Sequence, residues 1–164
     1  MRRPRKPELT PEEAQDPKRV RYAAVALLAR RDFASGELRQ KLETQGYEPE
    51  AVAAAVAEFV AARIVNDARY AESYVAYYAE RGQGPVRIAA DLRERNLPAE
   101  TIEAALAAGP DWRARAREAR IRRFGLAEPK TWPQKARQGR FLQYRGFSSD
   151  HIRAALGPDF DPNE

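Results

Sequence analysis

Apolar positions recur along this chain in three stretches that fall into register at a spacing of 50 residues: Leu38 to Val56, Ile88 to Leu106 and Gln138 to Leu156. With that offset Leu42, Leu92 and Leu142 align, then Gly46, Asn96 and Gly146, then Tyr47, Leu97 and Phe147. Further on, Glu50, Glu100 and Asp150 align, followed by the columns Val52, Ile102, Ile152; Ala55, Ala105, Ala155; and Val56, Leu106, Leu156. Similarity at one fixed period marks a supersecondary unit copied in tandem, each copy burying its apolar face against its neighbours. Within each copy the apolar residues follow helical spacing, and no segment alternates with period two for long enough to read as a strand. The pattern predicts an all-α fold: an elongated, curved array of three tandem three-helix repeats, about nine helices and no sheet.

Local signals place the elements. Residues 1–15, with Pro4, Pro7 and Pro11 among charged groups, carry too little apolar surface to offset their ordering entropy and read as a mobile basic tail. Asp16 and Pro17 form an N-cap and a first-turn proline ahead of Val20, Ala24, Leu27 and Leu28. Ser35 is expected to cap a second helix bearing Leu38 and Leu42, stopped at Gly46, and Pro49 opens a third with Val52, Val56, Phe59 and Val60 on one stripe. These make repeat 1, residues 16–65. Repeat 2, residues 66–109, starts at Asn66 or Asp67, breaks at Gly82-Gln83-Gly84-Pro85, turns at Asn96 and stops at Gly109 and Pro110. Repeat 3, residues 110–158, opens with an arginine-rich helix ending at Phe124; breakers from Gly125 to Pro133 displace that helix from the register. Gly157, Pro158 and Pro162 end the last helix and leave residues 159–164 as an acidic tail.

Charge separates copies that the apolar columns make alike. Residues 1–21 hold 7 basic and 4 acidic groups, and residues 22–110 hold 10 basic and 13 acidic. Residues 111–153 hold 12 basic and 4 acidic, a balance of +8. On the arginine helix Arg113, Arg117 and Arg120 share one face, with Arg115, Arg122 and Arg123 nearby and Glu118 as internal compensation; Lys135, Arg137, Arg140 and Arg145 continue the positive surface on the next helix. Like charges at this density repel unless an anionic partner neutralises them, and the arginine fork suits phosphate or carboxylate. These ten residues are the candidate partner-binding surface.

Other chemistry finds little support. The chain has no cysteine and one histidine, which excludes disulfides, thiolate metal sites and histidine-rich metal sites. Ser149, Asp150 and His151 are sequence neighbours and cannot converge as a hydrolase triad; Ser148 or Ser149 reads instead as a helix cap. Gly82 to Gly84 lacks the strand and the Gly-Lys-Ser/Thr ending of a phosphate loop and reads as a two-helix joint. Tyr70, Tyr74, Tyr77 and Tyr78 could stack on bases, but their helical spacing favours core packing. No apolar run approaches the ~20 residues needed to span a bilayer, and no secretory signal is evident. No catalytic residue, cofactor or metal is expected.

The segment from Arg63 to Ala71, with Ile64-Val65-Asn66-Asp67 leading to Tyr70, followed by Arg81-Gly82-Gln83-Gly84-Pro85 and then Ile88 and Leu92, strongly resembles the RecX family of recombinase regulators. The resemblance spans about residues 17–157; the family usually has glycine where this chain has Asn96. It implies a small, monomeric, cytoplasmic, non-enzymatic bacterial protein that binds the RecA filament, with single-stranded DNA contacted directly or through the filament. It further implies suppression of the filament's ATPase, strand exchange and co-protease activity, and so control of recombination, DNA repair and the SOS response. The rival expectation is a stand-alone nucleic-acid-binding helical repeat protein independent of RecA.

Overall fold

A computed structural model describes residues 8–160, and among them the chain is all helical. The helices are α1 (Pro11–Gln15), α2 (Pro17–Leu28), α3 (Ser35–Thr44), α4 (Pro49–Ala61), α5 (Asp67–Glu80), α6 (Pro85–Glu94), α7 (Ala99–Ala107), α8 (Trp112–Phe124), α9 (Trp132–Tyr144) and α10 (Ser149–Leu156). Helices α2 to α4, α5 to α7 and α8 to α10 form the three three-helix repeats. Two compact units divide the chain: one runs to Tyr70 and takes in Arg95–Leu97, and the other holds Ala71–Glu94 with the residues from Pro98 onward.

The extra helix, α1, lies where the sequence predicts a mobile tail. Thr10 and Glu13 close a capping box around its first turn, Ala14 is buried, and the Ala14 carbonyl accepts the Glu48 N–H at 3.0 Å. One buried methyl, a box of two reciprocal hydrogen bonds and a tie to the start of α4 order this short segment. The remainder of the expected tail, residues 1–7, lies outside the described residues, as do residues 161–164 of the acidic tail. Phe160 is buried, not part of a solvated tail: its ring sits 5.2 Å from that of Trp132 and against Gly139, whose missing side chain makes the room.

In the first unit the core comprises Val20, Ala24, Phe33, Leu38, Leu42, Val52, Ala55, Val56, Phe59 and Val65. Val60, expected on the buried stripe of α4, is exposed. Asp16 caps α2 by accepting from the Lys18 N–H at 2.9 Å. The cap of α3 is not Ser35, which stands one residue inside the helix behind Ala34. Instead Asp67 reaches across from the next repeat, its carboxylate accepting from the Ser35 N–H at 2.7 Å and the Ser35 hydroxyl at 2.6 Å. A carboxylate at a helix N-terminus satisfies an orphan donor and meets the positive end of the dipole. Asn66 is left to cap α5 by accepting the Arg69 N–H at 3.0 Å.

The register columns carry through the fold. Leu42, Leu92 and Leu142 are fully buried, as are Val52, Ile102 and Ile152 to within 1%. Gly46, Asn96 and Gly146 have φ of 98°, 58° and 91°, so each copy leaves its middle helix through the same left-handed residue. Asn96 tolerates this conformation and adds a hydrogen bond from its Nδ2 to Gln40 Oε1 at 2.9 Å. In repeat 3 Pro133 is no breaker: Thr131 and Gln134 form a capping box and Pro133 sits in the first turn of α9. Asn96→Ala, keeping the left-handed φ without the amide, is expected to cost about 1–2 kcal/mol in urea unfolding, and Asn96→Gly to stay within about 0.5 kcal/mol of the parent.

Candidate anion-binding surface

Three of the strongest constraints on α8 come from its sequence. Asp111 accepts from the N–H groups of Arg113 and Ala114 at 2.9 and 3.1 Å, which caps the helix and holds this carboxyl below the usual carboxylate range. Ala116 and Ala119 then bury a narrow face that lets α10 and α9 approach closely, and Gly125 with φ 86° ends the helix. The arginines therefore stand on the shoulders of a packed face, Arg113 and Arg117 on one side and Arg115 and Arg122 on the other. Arg120, which shares the face of Arg113 and Arg117, points inward and is only 5% exposed.

The ten expected surface residues consequently divide by what their side chains touch. Arg117 donates from Nε to the Ala154 carbonyl at 2.9 Å, and Arg120 from Nη1 to the Ala127 carbonyl at 3.1 Å. Arg122 donates to the Glu80 carbonyl at 3.0 Å. Arg145 donates from Nε to the Gly82 carbonyl at 3.0 Å and from Nη2 to the Arg81 carbonyl. The Lys135 ammonium lies beside Gly157, just past α10. Arg120 aside, these cations cluster at the carbonyl ends of α5 and α10, where orphan C=O groups and the negative end of the dipole favour them. The expectation of one solvent-facing arginine surface is corrected accordingly: Arg120 is a buried structural group, and Arg117, Arg122 and Arg145 are partly engaged by carbonyls.

Arg115 pairs with Glu118 at 3.0 Å. Arg113, Arg123, Arg137 and Arg140 are exposed and form no side-chain hydrogen bond or ion pair with another described residue. Arg123 and Arg137 each stand 5.6 Å from the centroid of the Phe124 ring, which packs edge-on to Phe141 at 5.3 Å. On α9, Arg137, Arg140 and Tyr144 follow one another at i, i+3 and i+7, and Arg87 lies 5.9 Å from the Tyr144 ring. Arg113, some ten residues up α8 from Arg123, is about 15 Å away and apart from this group.

The tyrosines of α5 are not core. Its buried stripe is Ala71, Val75 and Ala79, and Tyr74 and Tyr78 are half-buried beside it with ring centroids 4.3 Å apart. Tyr77 is 49% exposed, edge-on to Tyr78 at 5.0 Å, with the Arg81 guanidinium 3.3 Å above its ring. The sequence pattern does not single out Arg81, Arg87 or Tyr144 as site residues; for Arg81 the available signal is an arginine four residues after Tyr77, within reach on a helix, whereas Arg87 and Tyr144 meet only through the fold. Ser148 and His151 share a cap, Ser148 Oγ lying 2.9 Å from Nδ1. Burial lowers the His151 pKa, with nearby Asp150 opposing and Arg113 reinforcing the shift. No group of His, Cys, Asp and Glu among the described residues could hold a metal, and no helix among them is long and apolar enough to cross a membrane.

Family models for the first, second and third three-helix domains of RecX match residues 21–59, 66–106 and 111–156. The chain belongs to the RecX family. It is 44% identical to the regulatory protein RecX of Halorhodospira halophila over 146 residues, covering 88% of this chain and 91% of that one. The RecX of Pseudomonas savastanoi pv. phaseolicola is 43% identical over 141 residues, 85% of this chain and 91% of the relative. The crystal structure of RecX from Lactobacillus salivarius shares the fold with a TM-score of 0.75 at 21% identity, over 88% of this chain and 97% of that one. RecX membership thus rests on all three repeats, the basic third one included.

Because Arg120 combines buried alkyl packing with a carbonyl bond, Arg120→Ala is expected to lower unfolding free energy by about 2 kcal/mol or more in urea titration. Arg140→Ala, on the exposed face, is expected to change it by less than about 0.5 kcal/mol.

Proposed function

We propose that this RecX-family chain binds the RecA recombinase filament on single-stranded DNA and restrains it, lowering its ATPase, strand-exchange and co-protease activity. It acts as a non-enzymatic, monomeric regulator of recombination, DNA repair and the SOS response in the bacterial cytoplasm. Membership of the family across all three repeats carries this reading. The distribution of free charge supports it: exposed cations without internal partners gather on α8 and α9, the placement a polyanionic assembly of protein and DNA would neutralise. Relatives matching at about 40% identity over most of the chain are named regulatory protein RecX, which supports a regulatory role.

The test is the DNA-dependent ATPase of a RecA filament with added protein. The parent is expected to inhibit it, and the triple charge reversal Arg123→Glu, Arg137→Glu, Arg140→Glu to need at least about tenfold more protein for the same inhibition, as losing several phosphate contacts would require. The double reversal Arg39→Glu, Lys41→Glu, at exposed positions of α3, is the control for charge placed elsewhere. A parent protein that binds single-stranded DNA and leaves the ATPase untouched favours the stand-alone binding module instead.

A further inference from the structure

In the second unit a cavity of about 220 Å³ opens where the end of α5 meets α8 and α9. Four arginines line it, Arg81, Arg122, Arg123 and Arg145, together with Ala119 and Phe141. No carboxylate lines it, and none of the four arginines forms an ion pair with a described residue. Four like charges around one small open concavity repel one another, a repulsion that water reduces and a bound anion would relieve.

Three of these side chains are held in place by the backbone. Arg145 is fixed by the carbonyls of Gly82 and Arg81, Arg122 by that of Glu80, and Arg81 by the Tyr77 carbonyl at 3.1 Å and by the Tyr77 ring. Each guanidinium has five N–H donors, so one or two bonds to carbonyls leave the others available. Anchoring removes most of the side-chain entropy that binding would otherwise cost. Gly82, at φ 79°, brings its carbonyl to Arg145 by its lack of a side chain: a Cβ there would stand 3.2 Å from Arg145 Nη2. The result is a preorganised set of donors matched to a tetrahedral, doubly accepting oxyanion.

We propose that this cavity seats one phosphodiester of a single-stranded nucleic acid, and that the Arg81–Tyr77 stack at its rim carries the adjoining base. A single strand, and not a duplex, fits because stacking on an exposed guanidinium-aromatic pair needs an unpaired base. Arg137 and Arg140 continue the positive track beyond the cavity along α9, giving the flanking phosphates a path. The inference deepens the filament reading, since it names the contact to the strand, but it stands on a measurement that contains no recombinase.

The experiment is fluorescence anisotropy of a labelled oligo-dT with the full chain, repeated with an abasic strand of equal length and with inorganic phosphate as competitor. The double variant Arg81→Ala, Arg123→Ala is expected to lower affinity at least tenfold and to reduce the slope of log affinity against log salt by about one. Tyr77→Ala is expected to weaken oligo-dT but not the abasic strand, and Tyr77→Phe to restore binding. Unchanged unfolding midpoints separate these losses from misfolding, and Arg123→Lys, which keeps charge but not the fork, gives an intermediate affinity if the cavity is the seat. Equal binding of the two strands by every Tyr77 variant overturns the base contact. Unchanged affinity and salt slope in the double variant overturn the cavity as a phosphate seat. Loss of filament inhibition in that variant without any strand binding by the parent assigns the cavity to a protein surface and overturns the proposal while leaving the regulator reading intact.

Discussion

Each repeat turns back after its middle helix through one left-handed residue, and in repeats 2 and 3 the backbone of that turn docks against the start of the preceding copy's middle helix. The approach is close enough to exclude a side chain. A Cβ on Gly36 would lie 2.5 Å from the Asn96 carbonyl oxygen, and one on Gly84 would overlap the carbonyl carbon and oxygen of Gly146. The same contact disposes of the N–H groups that every helix start leaves without partners. Gly84 and Val86 donate to the carbonyls of Arg145 and Gly146 at 2.8 and 3.0 Å, whereas at the other joint the Asp67 side chain, outside the turn, takes the Ser35 N–H. A joint of this kind is specified by backbone geometry, which is why its residues are glycines and an asparagine and not large apolar groups.

The charge pattern of the third repeat follows from the same need of backbone groups for partners. Helices end with carbonyls that require donors, and arginine supplies several at once. Arg122 and Arg145 finish the end of α5, Arg117 meets a carbonyl in the last turn of α10, and Arg120 holds the Ala127 carbonyl of the loop after α8. Much of the positive charge is therefore structural in origin. In the proposed reading, function falls to the guanidinium donors left over, at the cavity between α5, α8 and α9 and along the outward face of α9, where an anion would complete what the chain leaves open.

The apolar columns make the helices and the three-copy organisation legible in the sequence alone, because burial at i, i+3 and i+4 leaves a periodic trace. Gly46, Asn96 and Gly146 are legible for a related reason: one column demands one backbone conformation. What escapes is anything set by contact between distant segments. Ser35 looks like a cap, yet Asp67, 32 residues on, does that work. The tyrosines of α5 have the spacing of a core stripe, yet alanines and a valine one position over are what the neighbouring helices accept. Arg120 reads as surface by charge alone, although its place beside Ala119 and one turn after Ala116, at the edge of the buried face, turns it inward.

One close backbone approach, between the Gly146 turn and the start of α6, holds its two repeats together, and a double-mutant cycle on Gly84→Ala and Gly146→Ala tests this by urea unfolding. Each single change forces that approach apart and is expected to cost about 2 kcal/mol or more. The pair should cost at least about 1 kcal/mol less than the sum, since one contact is lost only once. Strict additivity of the two costs would contradict the account.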